Sequence, residues 1–135
     1  VVRKAGDMNT IHVHPLNTIE KYIVGNYDLE ILTIPRINFY NVTIEQLKLK
    51  TLDIADAGVL QARCLEAGDG NIMVNRGDRL EWVCNLSQQT IQTFYLQPGT
   101  YVAEWRSKSL HGSIYTIERK FTISSNNQTN IEFFR

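Results

Sequence analysis

Two histidines near the start of the chain are the first candidates for chemistry. In His12-Val13-His14 the imidazoles lie on one face of a predicted strand, because successive side chains point to opposite faces. That spacing suits zinc or copper, which accept imidazole ligands. No third ligand stands nearby in the sequence, although Asp7 or His111 could approach in the folded chain. A solvated histidine pair is the favoured interpretation, with a metal site as the alternative.

The remaining reactive side chains form no catalytic set. The sequence has no Gly-x-Ser-x-Gly elbow, no phosphate-binding loop and no pair of carboxylates at catalytic spacing. Cys64 and Cys84 are the only cysteines, and two thiols without histidine or carboxylate partners fall short of a zinc set. We therefore predict no enzyme activity and no cofactor.

The two cysteines are predicted to point into one core. If residues 59–65 and 80–86 are strands, Cys64 shares a face with Leu60, and Cys84 shares a face with Trp82. Two packed thiols are one interpretation, and a disulfide between neighbouring strands is the other.

The aromatic residues offer one weak candidate ligand site. Trp82 alternates in phase with Cys84, and Trp105 in phase with Tyr101, so both indoles are predicted to lie in the core. If either indole is exposed instead, together with Tyr95, a flat aromatic platform for a sugar is the alternative.

Turn signals are frequent and indicate an all-β chain. Gly68-Asp69-Gly70-Asn71 is predicted to be a hairpin turn, because glycine and asparagine tolerate positive φ. Tyr27 follows Gly25, and Tyr101 follows Pro98-Gly99, which predicts in each case a tyrosine corner whose hydroxyl binds nearby backbone. These structural residues alternate with short strands and leave no convincing helix.

Composition excludes several classes of function. Of the 135 residues, 43% are apolar and 21% are charged, which favours a packed core over disorder. Fourteen basic residues balance fourteen acidic ones, so nothing in the charge predicts a nucleic-acid partner. No apolar run approaches the roughly 20 residues that a membrane helix needs. We predict no membrane insertion by this segment.

An internal repeat organises the chain. Residues 42–54 align without a gap with residues 121–133, and Gly25-Asn26-Tyr27 aligns with Gly99-Thr100-Tyr101. Two related β-sandwich modules are predicted, at 1–56 and 57–135, with one continuous sandwich as the alternative. Nothing upstream of Val1 matches residues 58–71, so the first module is expected to lack its opening strand. An unfilled sheet edge invites pairing with another chain.

Several stretches carry a family resemblance, and they cover most of the chain. They are Gly25-Asn26-Tyr27-Asp28-Leu29-Glu30-Ile31-Leu32-Thr33-Ile34-Pro35-Arg36, Ala57-Gly58-Val59-Leu60, Trp82-Val83-Cys84-Asn85-Leu86, Leu96-Gln97-Pro98-Gly99-Thr100-Tyr101 and Tyr115-Thr116-Ile117-Glu118-Arg119-Lys120-Phe121-Thr122-Ile123. Together they resemble the tail region of bacterial von Willebrand factor A domain-containing surface proteins. More generally, the Leu-x-Pro-Gly-x-Tyr turn is similar to that of prealbumin-like, immunoglobulin-like and carboxypeptidase-regulatory-like β-sandwich modules.

The resemblance implies a non-catalytic accessory module. Such a module would belong to an exported bacterial protein, at the cell surface, in the periplasm or outside the cell. Its partner would be a neighbouring domain of the same protein or another surface protein. The Asp-x-Ser-x-Ser metal motif of the von Willebrand domain itself is absent, so no metal site is implied. A carbohydrate- or small-ligand-binding module is the alternative function.

Overall fold

The computed structural model describes residues 1–108 and 116–134, and all regular structure in them is β-strand. The prediction of an all-β chain is confirmed. The described residues contain no helix, and therefore no helix that could cross a membrane. The chain divides into two compact units, Val1–Ile54 and Ala55–Arg135. His111 and Tyr115 lie outside the described residues.

The first unit is one antiparallel sheet with the strand order β2-β1-β3-β4. Its strands are β1 (Val2–Lys4), β2 (Thr10–His12), β3 (Gly25–Ile31) and β4 (Ile37–Ile44). Two segments of this unit, residues 13–24 and residues 45–54, contain no strand.

The second unit contains two sheets. Its strands are β5 (Gly58–Arg63), β6 (Gly68–Asn75), β7 (Leu80–Leu86), β8 (Ile91–Leu96), β9 (Gly99–Ser107), β10 (Ile117–Ile123) and β11 (Gln128–Glu132). One sheet is antiparallel with the order β10-β9-β6-β7. The other has the order β11-β5-β8, in which β11 runs parallel to β5 and β8 runs antiparallel to it.

One hydrophobic core joins both sheets of the second unit. Leu60 and Ala62 of β5 pack in the same cluster as Ile72 of β6 and Tyr101 of β9. All four side chains are fully buried. Stacking between aromatic rings adds to this packing, with Tyr101 and Phe121 at a centroid distance of 5.5 Å. The second unit is therefore sandwich-like, with inward-facing side chains from two layers.

The sheet of the first unit has one apolar face and one polar face. The apolar residues of the first face, which together we call the open face, are Val2, Tyr27, Leu29, Ile31, Ile37, Phe39, Val42 and Ile44, and at its edge Lys4 and His12 pair with Tyr27 and Val2. On the polar face Glu30 binds Arg3 at 3.2 Å and Arg36 at 2.5 Å. The guanidinium group of Arg36 lowers the pKa of the Glu30 carboxyl most, and that of Arg3 adds to the effect.

The open face is only partly covered. Of its eight residues, Val2, Tyr27 and Val42 are buried and the others are half-buried. Residues 1–54 contain no other buried hydrophobic side chain. By contrast, Ile72, Tyr101, Trp105 and Phe121 on the four-stranded sheet of the second unit are buried, and only its edge strand β7 has half-buried inward residues, Val83 and Cys84, among those that belong to the core cluster.

Candidate functional site

The two histidines belong to a polar cluster in the first unit. Strand β2 ends at His12, and residues 13–24 then turn back so that Glu20 and Tyr22 reach the imidazoles. His12 Nε2 pairs with a carboxylate oxygen of Glu20. His14 Nδ1 lies 2.9 Å from the Tyr22 hydroxyl, and His14 Nε2 lies 2.9 Å from the carbonyl of Thr18. The two residues therefore meet protein partners rather than bulk solvent alone.

Hydrogen bonding occupies both nitrogens of the His14 ring. Because a carbonyl only accepts, Nε2 carries the proton and donates to Thr18. In the neutral ring Nδ1 then accepts from the hydroxyl of Tyr22. The Tyr22 ring also stacks on His14, with a centroid distance of 5.9 Å. Burial, with the neighbouring Glu20 carboxylate, raises the pKa of Tyr22, whose hydroxyl also lies 3.5 Å from a carboxylate oxygen of Glu20.

The described residues do not assemble a metal site around this pair. No group of three or more histidine, cysteine, aspartate or glutamate side chains among them is placed to hold a metal ion. Asp7, one predicted third ligand, instead accepts a hydrogen bond from the backbone N–H of Asn9. The other, His111, lies outside the described part of the chain. His12 and His14 form a hydrogen-bonded cluster here.

A cleft of about 650 Å³ adjoins the cluster. Its lining combines His12, Glu20 and Lys4 with the apolar residues Ile11 and Ile23. Both of these isoleucines are exposed, Ile23 at 85%. Ile11 lies on β2 and Val13 follows its end, and both side chains are exposed. The cleft thus opens onto exposed apolar surface.

The two tyrosines of the repeat make the same hydrogen bond. The hydroxyl of Tyr27 donates to the carbonyl of Ile23 at 2.6 Å, and that of Tyr101 donates to the carbonyl of Gln97 at 2.5 Å. Each acceptor lies four residues upstream. The intervening glycines, Gly25 and Gly99, have φ angles of +158° and +157°. Burial raises the pKa of Tyr101 to about 12.

The cysteines are both free thiols. Cys64 follows β5 and is buried, while Cys84 lies on β7 and is half-buried against the same core cluster. Because β5 and β7 belong to different sheets, the expectation of neighbouring strands is wrong. Burial raises the pKa of both thiols.

The three candidate aromatic residues do not form one platform. Trp105 is buried in the core, as its alternation predicts. Trp82 is 61% exposed, so the prediction of a core position is wrong. Tyr95 is exposed too, but it lies on β8, which belongs to the other sheet.

A β-bulge explains the position of Trp82. Ile72 pairs with Cys84 and the next residue, Met73, pairs with Trp82, so Val83 is an extra residue in β7. The extra residue reverses the alternation, because two residues of one strand then oppose a single residue of the other. Val83 turns toward the core, and Trp82 faces outward with its indole N–H donating to Asn85 at 2.9 Å.

A second cleft, of about 420 Å³, lies on the same four-stranded sheet. Polar side chains of Asn71, Asn85 and Glu104 contribute to its lining. The side-chain oxygen of Asn71 is buried and makes no hydrogen bond within the described chain. The lining thus holds the amide groups of two asparagines, of which Asn85 accepts the hydrogen bond from the Trp82 indole.

The chain was also compared with known proteins. No family model, no curated protein and no solved structure matches it.

Sequence analysis did not identify the open face as a partly covered apolar surface. Strand alternation marks Leu29 and Ile31 as inward-facing, which is correct for their direction. Alternation does not show whether a second layer covers them. The signal that was available is the predicted repeat, because it leaves residues 58–71 without a counterpart in the first unit.

Proposed function

We propose that the chain consists of two copies of one β-sandwich module of prealbumin-like or immunoglobulin-like type. It would act as a non-catalytic structural and protein-interaction module of an exported or surface-associated bacterial protein. The single observation that carries the interaction role is the half-buried open face of the first sheet. A sheet face of apolar residues that remain partly exposed is typical of a site that another polypeptide covers.

The strand orders of the two units support common descent of the modules. Strands β1, β2, β3 and β4 follow one another in the sheet as β2-β1-β3-β4, and β6, β7, β9 and β10 follow as β7-β6-β9-β10. The two orders are the same if β1, β2, β3 and β4 correspond to β6, β7, β9 and β10. The strands β5, β8 and β11 form the other sheet of the second unit and are left out of this comparison.

Matching β-bulges in the two units also support common descent. In the first unit Val2 pairs with His12 and Arg3 pairs with Thr10, which makes Ile11 an extra residue. In the second unit the bulge at Val83 sits at the matching place. A β-bulge is a local feature of one strand pair. Bulges at matching positions in the two units therefore favour two copies of one module. The two tyrosine hydrogen bonds are equally matched.

The exported, bacterial character rests on the resemblance alone. The balanced charge fits a protein partner chosen by shape, such as a neighbouring domain or another surface protein. A nucleic-acid partner is not proposed, because the chain has no excess of basic residues.

Cross-linking in the source cells tests the interaction role. The chain is located by surface labelling with a membrane-impermeant reagent, then cross-linked and analysed by mass spectrometry. We expect labelling on intact cells and cross-links from residues 1–54 to a neighbouring domain or to another surface protein. A chain found only in the cytoplasm, or one without such cross-links, would contradict the proposal.

A carbohydrate-binding role is the second candidate, because Trp82 is exposed next to Asn85. An exposed indole flanked by amide groups suits the apolar face and hydroxyls of a sugar. The test is a glycan array with the unmodified protein and the Trp82→Ala variant. Tyr95→Ala, which removes an exposed aromatic residue from the other sheet, is the matched control. Glycan binding that Trp82→Ala abolishes and Tyr95→Ala leaves intact supports this role, and its absence ends it.

A further inference from the structure

The second unit shows how a sheet of this kind is covered. Strand β5 lies between β8 and β11, and within the described chain each of these two pairs only with β5. Leu60 and Ala62 of β5 have 0% exposure and pack among the inward residues of the four-stranded sheet. Strand β5 is therefore the element that holds the covering layer together.

The first unit contains counterparts of β8 and β11. Thr18-Ile19 aligns with Thr90-Ile91 at the start of β8, and residues 49–53 align with β11. The turn that leads into the second counterpart also matches, since Leu47 and Asn126 have φ angles of +58° and +60°. Leucine adopts this left-handed conformation rarely, so its occurrence at the aligned position favours the equivalence.

Neither counterpart forms a strand. Residues 13–24 and 45–54 contain no strand, and most of their apolar side chains are exposed, with Tyr22, Leu52 and Ile54 half-buried. Ile19 is 81% exposed, and Leu49 is 71% exposed. The reason is the missing central strand, because edge segments with a single pairing partner cannot make a ladder without it. The first unit thus has both outer strands of the covering layer in its sequence and lacks the central strand.

We propose that the open face accepts one extended strand from outside residues 1–135, with the residue pattern of β5. The strand pairs antiparallel with residues 19–24 and parallel with residues 49–53, as β5 does with β8 and β11. Apolar side chains at every second position enter the open face, and main-chain hydrogen bonds to both neighbours supply affinity. The inference rests on the proposal that the two units are copies of one module.

The chemistry of the donated strand follows from the open face. Small and medium apolar residues fit, as Leu60 and Ala62 do in the second unit. Next to the face, Lys4 and His12 line the cleft together with Glu20. A polar residue at the corresponding end of the donated strand would meet these polar side chains.

A synthetic peptide with the sequence of residues 57–65, with serine in place of Cys64, is the probe. It is titrated into the isotope-labelled 135-residue protein, followed by amide NMR shifts and hydrogen exchange. We expect saturable shifts at residues 19–24 and 49–53, and slowing of their amide exchange by about tenfold or more. The control peptide carries aspartate in place of Leu60 and Ala62, and it should leave shifts and exchange unchanged.

Proline variants test the ladder directly. In a parallel ladder only alternate residues donate to a given neighbour, so Lys50→Pro and Thr51→Pro between them remove at least one donor. Both residues are exposed and outside any strand in the free protein, so the free fold should tolerate the change. At least one variant should lose peptide binding, while Lys50→Ala and Thr51→Ala keep it.

Three outcomes would overturn the inference. The peptide could fail to bind. It could also take the place of β5 in the second unit and so perturb only β5, β8 and β11. A concentration-dependent dimer that protects residues 19–24 and 49–53 without peptide would make a second copy the occupant. All three are measured on the purified protein, so they are distinguishable from a failure of the surface-labelling and cross-linking experiment in cells.

Discussion

The indole of Trp105 lies directly against the backbone of Gly68 on the neighbouring strand. A Cβ atom added at Gly68 would stand 2.4 Å from the indole nitrogen and 2.4 Å from the carbonyl oxygen of Arg106. Neither neighbour can withdraw easily, because Trp105 is buried and the oxygen belongs to the backbone of β9. The glycine is thus required by close packing within the sheet.

Gly68→Ala should destabilise the second unit by about 1 to 3 kcal/mol, as overpacking of a tight contact does. Urea unfolding followed by circular dichroism measures the change. Asp69→Ala is the control, since the side chain of this exposed neighbour accepts a hydrogen bond from Gln88 at the surface. Equal midpoints for Gly68→Ala and the unmodified protein would contradict the packing argument.

Tyr101→Phe should lower the free energy of unfolding of the second unit by about 1 to 2 kcal/mol, because it leaves the Gln97 carbonyl without its donor. Tyr95→Phe, which alters a tyrosine that is 67% exposed, should change little. Chemical denaturation of both variants provides the measurement. An unaltered midpoint in Tyr101→Phe would count against a structural role for this hydroxyl.

Alkaline pH should weaken the second unit through the same residue. Burial raises the pKa of Tyr101 to about 12, whereas an unfolded tyrosine titrates near 10. The folded state therefore binds the phenolic proton more tightly, and this stabilisation is complete below about pH 10 and is lost as the pH rises toward 12. Urea midpoints measured across this range should fall less steeply in Tyr101→Phe. Parallel curves for the two proteins would refute the assignment.

The thiols should react slowly in the native protein. Burial raises the pKa of Cys64 and of Cys84, which lowers the fraction of reactive thiolate. In non-reducing denaturant a thiol reagent should titrate both cysteines, and in native buffer the reaction should be much slower. Cys84→Ser identifies the faster site, which we expect to be the half-buried Cys84. Titration of no thiol in denaturant would indicate a disulfide instead.

Alternation and turn residues were sufficient for the all-β class and for the inward direction of Tyr101, Trp105 and Phe121. They misled at Gly68-Asp69-Gly70-Asn71, which begins strand β6 rather than forming a hairpin turn. The glycines there serve close approach to β9, with Gly70 against the carbonyl of Glu104. A short glycine-rich stretch suits both situations, and only the neighbouring strand distinguishes them.

The amino-acid sequence by itself determined the strand class and the two glycine–tyrosine turns, since each depends on residues close together in the chain. Tertiary structure alone decided the rest. The bulge at Val83, set by pairing with β6, places Trp82 outside. Sheet membership separates the strands near Cys64 and Cys84. Whether Leu29 and Phe39 are covered depends on a second layer, because strand alternation sets the direction of a side chain but burial requires atoms on the other side.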